Sequence, residues 1–286
     1  MLRHCRSVRG SMVEFQSRYH EQRTTRSAGL SRGMASFAAV LLITAVLGHR
    51  RGLVETTAFF WVLGIVALLA AFALLLSGFA FSRLWKFGDR GGHDLTAGAL
   101  LGLAVLAPFG FVAYQIATLP MLRDISTDAE VPPALTAAVS LRTPVMNGLE
   151  LPSAGERALQ AQAYPLVAGR RYDLSLDRVL ESVAVILGRQ GWEVVVPPPA
   201  TEQASGEVDI EAVARTFVLA LPSDVAIRLV DDGDSTFVDM RSASRYGRHD
   251  LGDNAERITA FLAELDQEIA AQAGTATTAI PANPTQ

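Results

Sequence analysis

Hydrophobic residues are concentrated in the first 123 residues of the chain, in three long stretches without Asp, Glu, Lys or Arg. These stretches occupy residues 33–48, 56–82 and 95–122. A helix that crosses a bilayer needs about 20 apolar residues, within a range of about 17–25. The second and third stretches exceed that length. The first becomes long enough when the flanking side chains of Arg32, Arg50 and Arg51 snorkel to the interface. We therefore predict three transmembrane helices over residues 34–122.

After residue 172 the apolar positions follow the shorter patterns of a globular domain. They recur at helical spacing over residues 176–187 and again over 255–269. Strands are predicted between these helices, at residues 192–196, 207–221, 224–230 and 235–241. A change of apolar phase after Ala212 predicts a bulge or a break in the second strand. Because helices on one face of an antiparallel sheet form an α+β domain, we predict about four strands and two helices at residues 173–272.

The remaining segments have the composition of irregular or unfolded chain. Residues 1–33 form a basic leader without periodicity, which we predict to be disordered. Residues 123–172 contain five prolines and little periodicity, which predicts a linker of extended or irregular chain. Residues 273–286 are rich in Ala, Thr and Pro, and we predict a disordered tail there.

Lys and Arg near the apolar stretches predict the orientation of the chain, because cytoplasmic segments carry an excess of them. Seven arginines precede the first stretch, and the loop between the second and third adds three basic residues. The opposite side holds only Arg50, Arg51 and Arg123. We predict a multi-pass inner-membrane protein with a cytoplasmic N-terminus and a periplasmic C-terminal domain. A start at Met34 would leave three basic residues on each side and remove this bias.

The apolar stretches predict helix packing and not transport. Gly98 and Gly102 are four residues apart, a spacing that lets helices approach closely. We favour packing within the three-helix bundle over dimerisation. Transport usually depends on ionisable groups inside the membrane, and the three stretches contain no charged residue.

Charge and cysteine content argue against several classes of protein. The net charge of −4 does not suggest a nucleic-acid partner. Cys5 is the single cysteine, so the chain has no internal disulfide and no second thiolate for a metal. His249 is the only histidine after His93, whereas a zinc site usually needs three or four ligands. We predict no metal and no cofactor.

The polar segment at residues 239–257 contains the most chemically versatile side chains. Its candidate binding residues are Arg241, Ser242, Ser244, Arg245, Arg248, Asp250, Asn254 and Arg257. Guanidinium groups close to a helix N-terminus favour a phosphate or carboxylate ligand. In the structural interpretation, Asp250 or Asp253 caps the last helix and the arginines pair with internal acids. We favour the structural interpretation, with Asp253 as the N-cap supported by Glu256.

Two sequence motifs resemble those of a known family. Residues 241–258 read RSASRYGRHDLGDNAERI, and residues 123–133 read RDISTDAEVPP. They resemble the C-terminal and N-terminal motifs of the DUF1499 family, bacterial and plastid proteins of unknown function, and the segment Ala214-Arg215-Thr216 also fits. The resemblance implies a recurrent arrangement with three membrane spans before the domain. His249 stands where the family pattern has a small polar residue, which argues against a required catalytic base.

The sequence favours a binding protein over an enzyme. Ser242 or Ser244 with His249 and Asp250 would be a candidate triad, but adjacent His and Asp side chains cannot readily adopt the orienting geometry. We therefore assign no catalytic residue. We predict a binding or interaction module at the cell envelope, in contact with the lipid bilayer and with an envelope protein or an anionic or lipid ligand. The alternatives are a carrier of lipid or another apolar ligand, and an enzyme using the Arg/Ser/Asp cluster.

Overall fold

Three apolar helices begin the structure, a computed structural model that describes residues 26–87, 91–199 and 206–278. They are α1 (Arg26–Arg50), α2 (Thr56–Phe87) and α3 (Gly92–Thr118). Each is long and apolar enough to cross a membrane, so the prediction of three apolar helices is confirmed. Of the predicted disordered leader, residues 1–25 lie outside the described residues. Residues 26–33 instead form the first turns of α1, where Ala28 and Ser31 are buried.

The described residues form two compact units, one of residues up to 39 with 68–105 and one of residues 40–67 with those after 105. Small residues allow the helices of the first unit to pack closely. Ser31 Oγ donates a hydrogen bond to the Ala73 carbonyl at 2.8 Å and lies 2.6 Å from Ser77 Oγ. A Cβ atom added at Gly98 would lie 2.8 Å from the backbone nitrogen of Arg32. Gly98 is therefore a point of close helix contact within this unit, as the glycine spacing predicts.

The second unit contains an antiparallel sheet of six strands. They are β1 (Asp124–Ser126), β2 (Arg170–Tyr172), β3 (Glu193–Val196), β4 (Glu207–Arg215), β5 (Pro222–Asp231) and β6 (Thr236–Ser244). The strand order is β1-β6-β5-β4-β3, and β2 pairs with β6 as well. β1 pairs with residues 241–243 and β2 with residues 236–238, so these two short strands share one edge of β6.

Two long helices cover one face of this sheet. They are α6 (Leu176–Gln190) and α7 (Asp253–Thr278). Ile186 and Phe261 are fully buried against Ile227 and Met240 of the sheet, and the Phe261 ring stacks on that of Trp192 with centroids 5.4 Å apart. The predicted α+β class is confirmed, with six strands where we predict about four. The three-residue strands β1 and β2 are too short to produce a periodic pattern.

Part of the segment we predict to be a linker covers the opposite face of the sheet, while its residues Val167 and Tyr172 pack in the core on the α6 and α7 side. Residues 123–172 contribute β1, β2, α4 (Thr136–Leu141) and α5 (Ala154–Ala163). Leu135 and Ala138 pack on Ala226 and Ala243. The five prolines lie in the connections between these short elements. The segment packs on the sheet and belongs to the folded domain.

Burial of both faces also explains the change of apolar phase after Ala212. Val213 is buried on the second face, while β4 keeps a continuous register with β5 from Glu207 to Arg215. The register irregularity lies in β3, between Val194 and Val196. The prediction of a bulge or break in β4 is wrong, because the pattern there arises from a strand buried on both sides.

The C-terminal helix is longer than predicted. α7 continues to Thr278, so the first six residues of the predicted disordered tail are helical. Two of these six residues are Ala, the most favourable residue for helix formation, and none is Pro. Residues 279–286 of that tail lie outside the described residues.

Replacement of Gly98 by Ala is expected to destabilise the helix packing. The new Cβ would meet the Arg32 backbone, and relieving such overpacking typically costs about 1–3 kcal/mol. Gly110→Ala is the matched control, because a Cβ at that position of α3 meets no atom within 4 Å. Thermal unfolding of the detergent-solubilised protein should show a lower midpoint for Gly98→Ala only. Equal midpoints for the two variants would contradict the packing role.

Candidate functional site

The candidate residues lie at the end of β6, in the turn at residues 245–252 and in the first turn of α7. Hydrogen bonds join this β6–α7 turn to the end of α3. His249 Nε2 lies 3.1 Å from the Leu119 carbonyl, and the backbone N–H of Asp250 donates to the Leu122 carbonyl at 2.9 Å. The turn is tight, because Gly247, Leu251 and Gly252 all have positive φ angles.

His249 has a structural position in this turn. Its Nδ1 accepts a hydrogen bond from the backbone N–H of Leu251 at 2.9 Å, which leaves Nε2–H to donate to Leu119. Both ring nitrogens are thus occupied by backbone groups. His249 therefore lies between the end of α3 and Leu251, whose φ angle is positive. Neither of its ring nitrogens is hydrogen-bonded to a serine hydroxyl that could act as a nucleophile.

Asp250 satisfies the backbone at the start of α7. Its Oδ1 accepts from the Gly252 N–H and its Oδ2 from the Asn254 N–H, both at 3.1 Å. Burial raises the pKa of Asp250, and the two backbone hydrogen bonds only partly oppose that shift. Asp253, our predicted N-cap, instead is the first residue of α7 and pairs with Arg257 at 2.5 Å. Asp250 is the residue that satisfies these N–H groups, since the turn directs its carboxylate at them.

Ser242, Ser244, Asn254 and Arg257 form one hydrogen-bonded cluster. The Ser242 hydroxyl donates to Asn254 Oδ1 at 2.8 Å, and Arg257 Nη1 donates to both of these side chains. Asn254 Nδ2 donates to Ser244 Oγ and to the Arg123 carbonyl, each at 3.0 Å. Ser242 and Asn254 are completely buried. The cluster joins β6 to α7 and to the start of β1.

Arg241 and Arg245 point to the other face of the sheet, where Arg241 meets the partly buried carboxylate of Asp124 and Arg245 the buried carboxylate of Asp224. Arg241 donates to Asp124 through Nε at 3.0 Å and Nη2 at 2.7 Å. Arg245 donates in the same bidentate way to Asp224, at 3.0 and 2.7 Å. Asp224 also binds Arg142, whose Nε lies 2.8 Å from Oδ2. The Asp224 side chain is 2% exposed, so its charge is balanced by protein groups and not by water.

Two further groups of contacts to carboxylates hold residues 127–138 on the same face. Arg228 donates to Asp239 at 2.9 Å and to Asp128 at 3.2 Å. Burial lowers the pKa of Arg228, but the two carboxylates outweigh burial and the net shift is upward. The buried Glu211 accepts from the Thr136 hydroxyl at 2.6 Å and from the first N–H groups of α4. These pairs fix the covering segment to the sheet.

Arg248 differs from the other seven candidate residues. Its side chain is exposed and makes no hydrogen bond or ion pair with any described residue. The neighbouring Tyr246 ring meets Phe60 of α2 edge to face, with centroids 6.2 Å apart. The structure thus places seven candidates in internal contacts and leaves Arg248 as the exposed cation.

The described residues contain no group of three or more His, Cys, Asp or Glu side chains placed to hold a metal ion. Residues 124–265 match the family model described as "Protein of unknown function (DUF1499)". The chain carries a DUF1499 domain. The matched residues begin in β1 and end in α7, so the DUF1499 domain includes the segment that covers the second face of the sheet. No curated protein and no solved structure matches the chain.

Sequence reasoning missed the acidic partners of the site. Asp124, Asp224 and Asp239 alternate with apolar residues along their strands, and that pattern is typical of a face exposed to water. One signal was present: Asp124 lies in the first family-like motif and Arg241 in the second. The two motifs meet in this ion pair.

Replacement of Asp224 by Ala is expected to destabilise the DUF1499 domain strongly. It would leave Arg142 and Arg245, whose side chains are 7% and 11% exposed, without a counter-charge, and removing one partner of a buried pair costs about 3–5 kcal/mol. Asp232→Ala is the control, because its pair with Arg171 is more than half exposed and contributes below about 1 kcal/mol. Denaturant unfolding of the purified full chain measures the difference. If Asp224→Ala lowers the free energy of unfolding by no more than about 1 kcal/mol, as expected for Asp232→Ala, the Asp224 pairs are not needed for stability.

Proposed function

We propose that the protein is a multi-pass inner-membrane protein whose DUF1499 domain lies on the periplasmic side and acts as a binding module. Three helices of sufficient length and hydropathy support the membrane part. The excess of basic residues before α1 and between α2 and α3 supports a cytoplasmic location for those segments. The C-terminal domain then lies on the opposite side.

The binding proposal rests on the exposed guanidinium group of Arg248, which makes no hydrogen bond or ion pair with a described residue. The other three arginines among the candidate residues are engaged with Asp124, Asp224 or Asp253. Arg248 alone among these four offers a guanidinium group to an outside ligand, and such a group suits a phosphate or carboxylate. The β6–α7 turn lies against the first turns of α2 and the end of α3. The proposed ligand is therefore an anionic group close to the membrane surface.

The packing of the domain supports a surface site and gives no support to an internal carrier cavity. The space between the sheet and its two helices is filled by side chains such as Ile186, Phe261 and Leu265, all fully buried. A described cavity of about 270 Å³ beside β1 has four charged residues among its eight lining residues, including Arg123 and Asp124. A lining of that kind does not suit an apolar ligand.

Single cysteines at Asp234 and His93 test the orientation in a Cys5→Ser background. Asp234 is exposed in the β5–β6 turn, and the His93 side chain is exposed at the start of α3. A membrane-impermeant maleimide should label Asp234→Cys in cells with a permeable outer membrane. It should label His93→Cys only after the inner membrane is opened. The reverse pattern would contradict the periplasmic location.

Replacement of Arg248 by Ala tests the binding site. We expect phosphatidylglycerol, titrated into the detergent-solubilised protein and followed by native mass spectrometry, to bind about ten-fold more weakly, as for loss of one charge-assisted hydrogen bond. Arg189→Ala is the control, since this exposed arginine pairs with Glu268 on α7. Protein adducts from chemical cross-linking in cells are measured in parallel. A loss of protein adducts without a loss of lipid binding identifies an acidic protein as the ligand, and no change in either contradicts the proposal.

A further inference from the structure

The loop between β4 and β5, residues 216–221, presents two apolar side chains to the exterior. Its ends are closed by hydrogen bonds between Thr216 and Leu221, one from each backbone N–H, at 3.0 Å each. Phe217 is 90% exposed and Val218 is 64% exposed. A nearly fully exposed Phe at the tip of a closed loop is typical of a surface that contacts a membrane or another protein.

The carbonyl groups of this loop are bound by the last residues of α1. Arg50 Nη1 donates to the Val218 carbonyl at 3.1 Å and also to the Phe217 carbonyl. His49 Nδ1 lies 2.8 Å from the Leu219 carbonyl. Three consecutive carbonyls are therefore held at one helix end.

His49 is itself fixed in place. Its Nε2 lies 3.1 Å from Thr56 Oγ1, and its ring stacks on Phe59 with centroids 4.4 Å apart. The loop is thus attached to the connection between α1 and α2 by a buried histidine as well as by Arg50.

The position of these contacts along α1 indicates how deep the loop lies relative to the bilayer. The uncharged stretch of α1 ends at Gly48, directly before His49 and Arg50. Arginines at the end of a spanning helix lie at head-group level. Trp61, exposed near the start of α2, is the residue type enriched at that level. The loop that binds Arg50 therefore lies at the same level.

We propose that Phe217 and Val218 insert into the lipid bilayer beside α1, so that the β4–β5 loop attaches the DUF1499 domain to the membrane surface. This inference rests on the proposed membrane crossing by α1 but not on the side of the domain or on Arg248. A loop that enters the interface must have its polar backbone groups paired. Arg50 and His49 provide that pairing for three carbonyls, while the apolar side chains remain free for lipid.

A fluorescent label at residue 217 tests the insertion in the full chain. In the Cys5→Ser background, Phe217→Cys is labelled with an environment-sensitive dye and reconstituted into phosphatidylcholine–phosphatidylglycerol vesicles. Since residue 217 is exposed, the substitution leaves the fold intact. The expected result is a blue-shifted emission that spin-labelled lipids quench several-fold more than the emission of a control label. That control is Asp234→Cys, at the far end of the ten-residue strand β5, about 30 Å away.

A third label, at Ile65 of α2, separates failure of the insertion from failure of the proposed membrane crossing. Ile65 is half-exposed within an apolar helix and should be quenched strongly. Quenching at 65 with water-like emission at 217 overturns the insertion and leaves the crossing intact. Water-like emission at both positions overturns both. A blue shift at 217 without lipid quenching also overturns the insertion, because a protein surface then covers the loop.

Discussion

The fold of the DUF1499 domain depends on the pairing of charges buried between its sheet and the segment that precedes it. Asp224 lies under two arginines, and Asp124 holds Arg241 through two hydrogen bonds. These side chains are only 2–11% exposed, so each charge depends on its protein partner. This requirement holds residues 124–150 on the sheet, where a proline-containing segment would otherwise be irregular. The second face of the sheet is therefore closed by ionic contacts as well as by apolar packing.

The same contacts determine how closely the domain follows the three apolar helices. Only five residues separate the last residue of α3 from the first residue of β1. Because β1 is fixed to β6, the end of α3 and the β6–α7 turn come together at Leu119 and His249. The loop at residues 216–221 meets the end of α1, and Tyr246 meets Phe60 of α2. Each apolar helix thus has its own contact with the domain, and a ligand of the β6–α7 turn would be bound close to all three helix ends.

The two motifs that resemble the family have a structural explanation in this protein. Asp124 belongs to the first motif, while Arg241, Ser242 and Asn254 belong to the second. They meet at the junction of β1, β6 and α7, where their side chains satisfy one another and the backbone. A motif rich in Arg, Ser and Asp can therefore maintain a fold without forming an active site. Arg248 is the one arginine of the second motif whose side chain pairs with no described residue.

The sequence alone determined the three apolar helices, the class of the domain and the positions of α6, β3, β5 and β6, because these depend on periodic patterns within single segments. It did not determine β1, β2 or the role of residues 123–172, whose order comes from partners more than 60 residues away, such as Asp239 for Thr127. Nor did it separate Arg248 from Arg241 and Arg245. All three are arginines in one polar run, and only the direction of each side chain relative to the sheet decided which were buried against a carboxylate and which remained exposed.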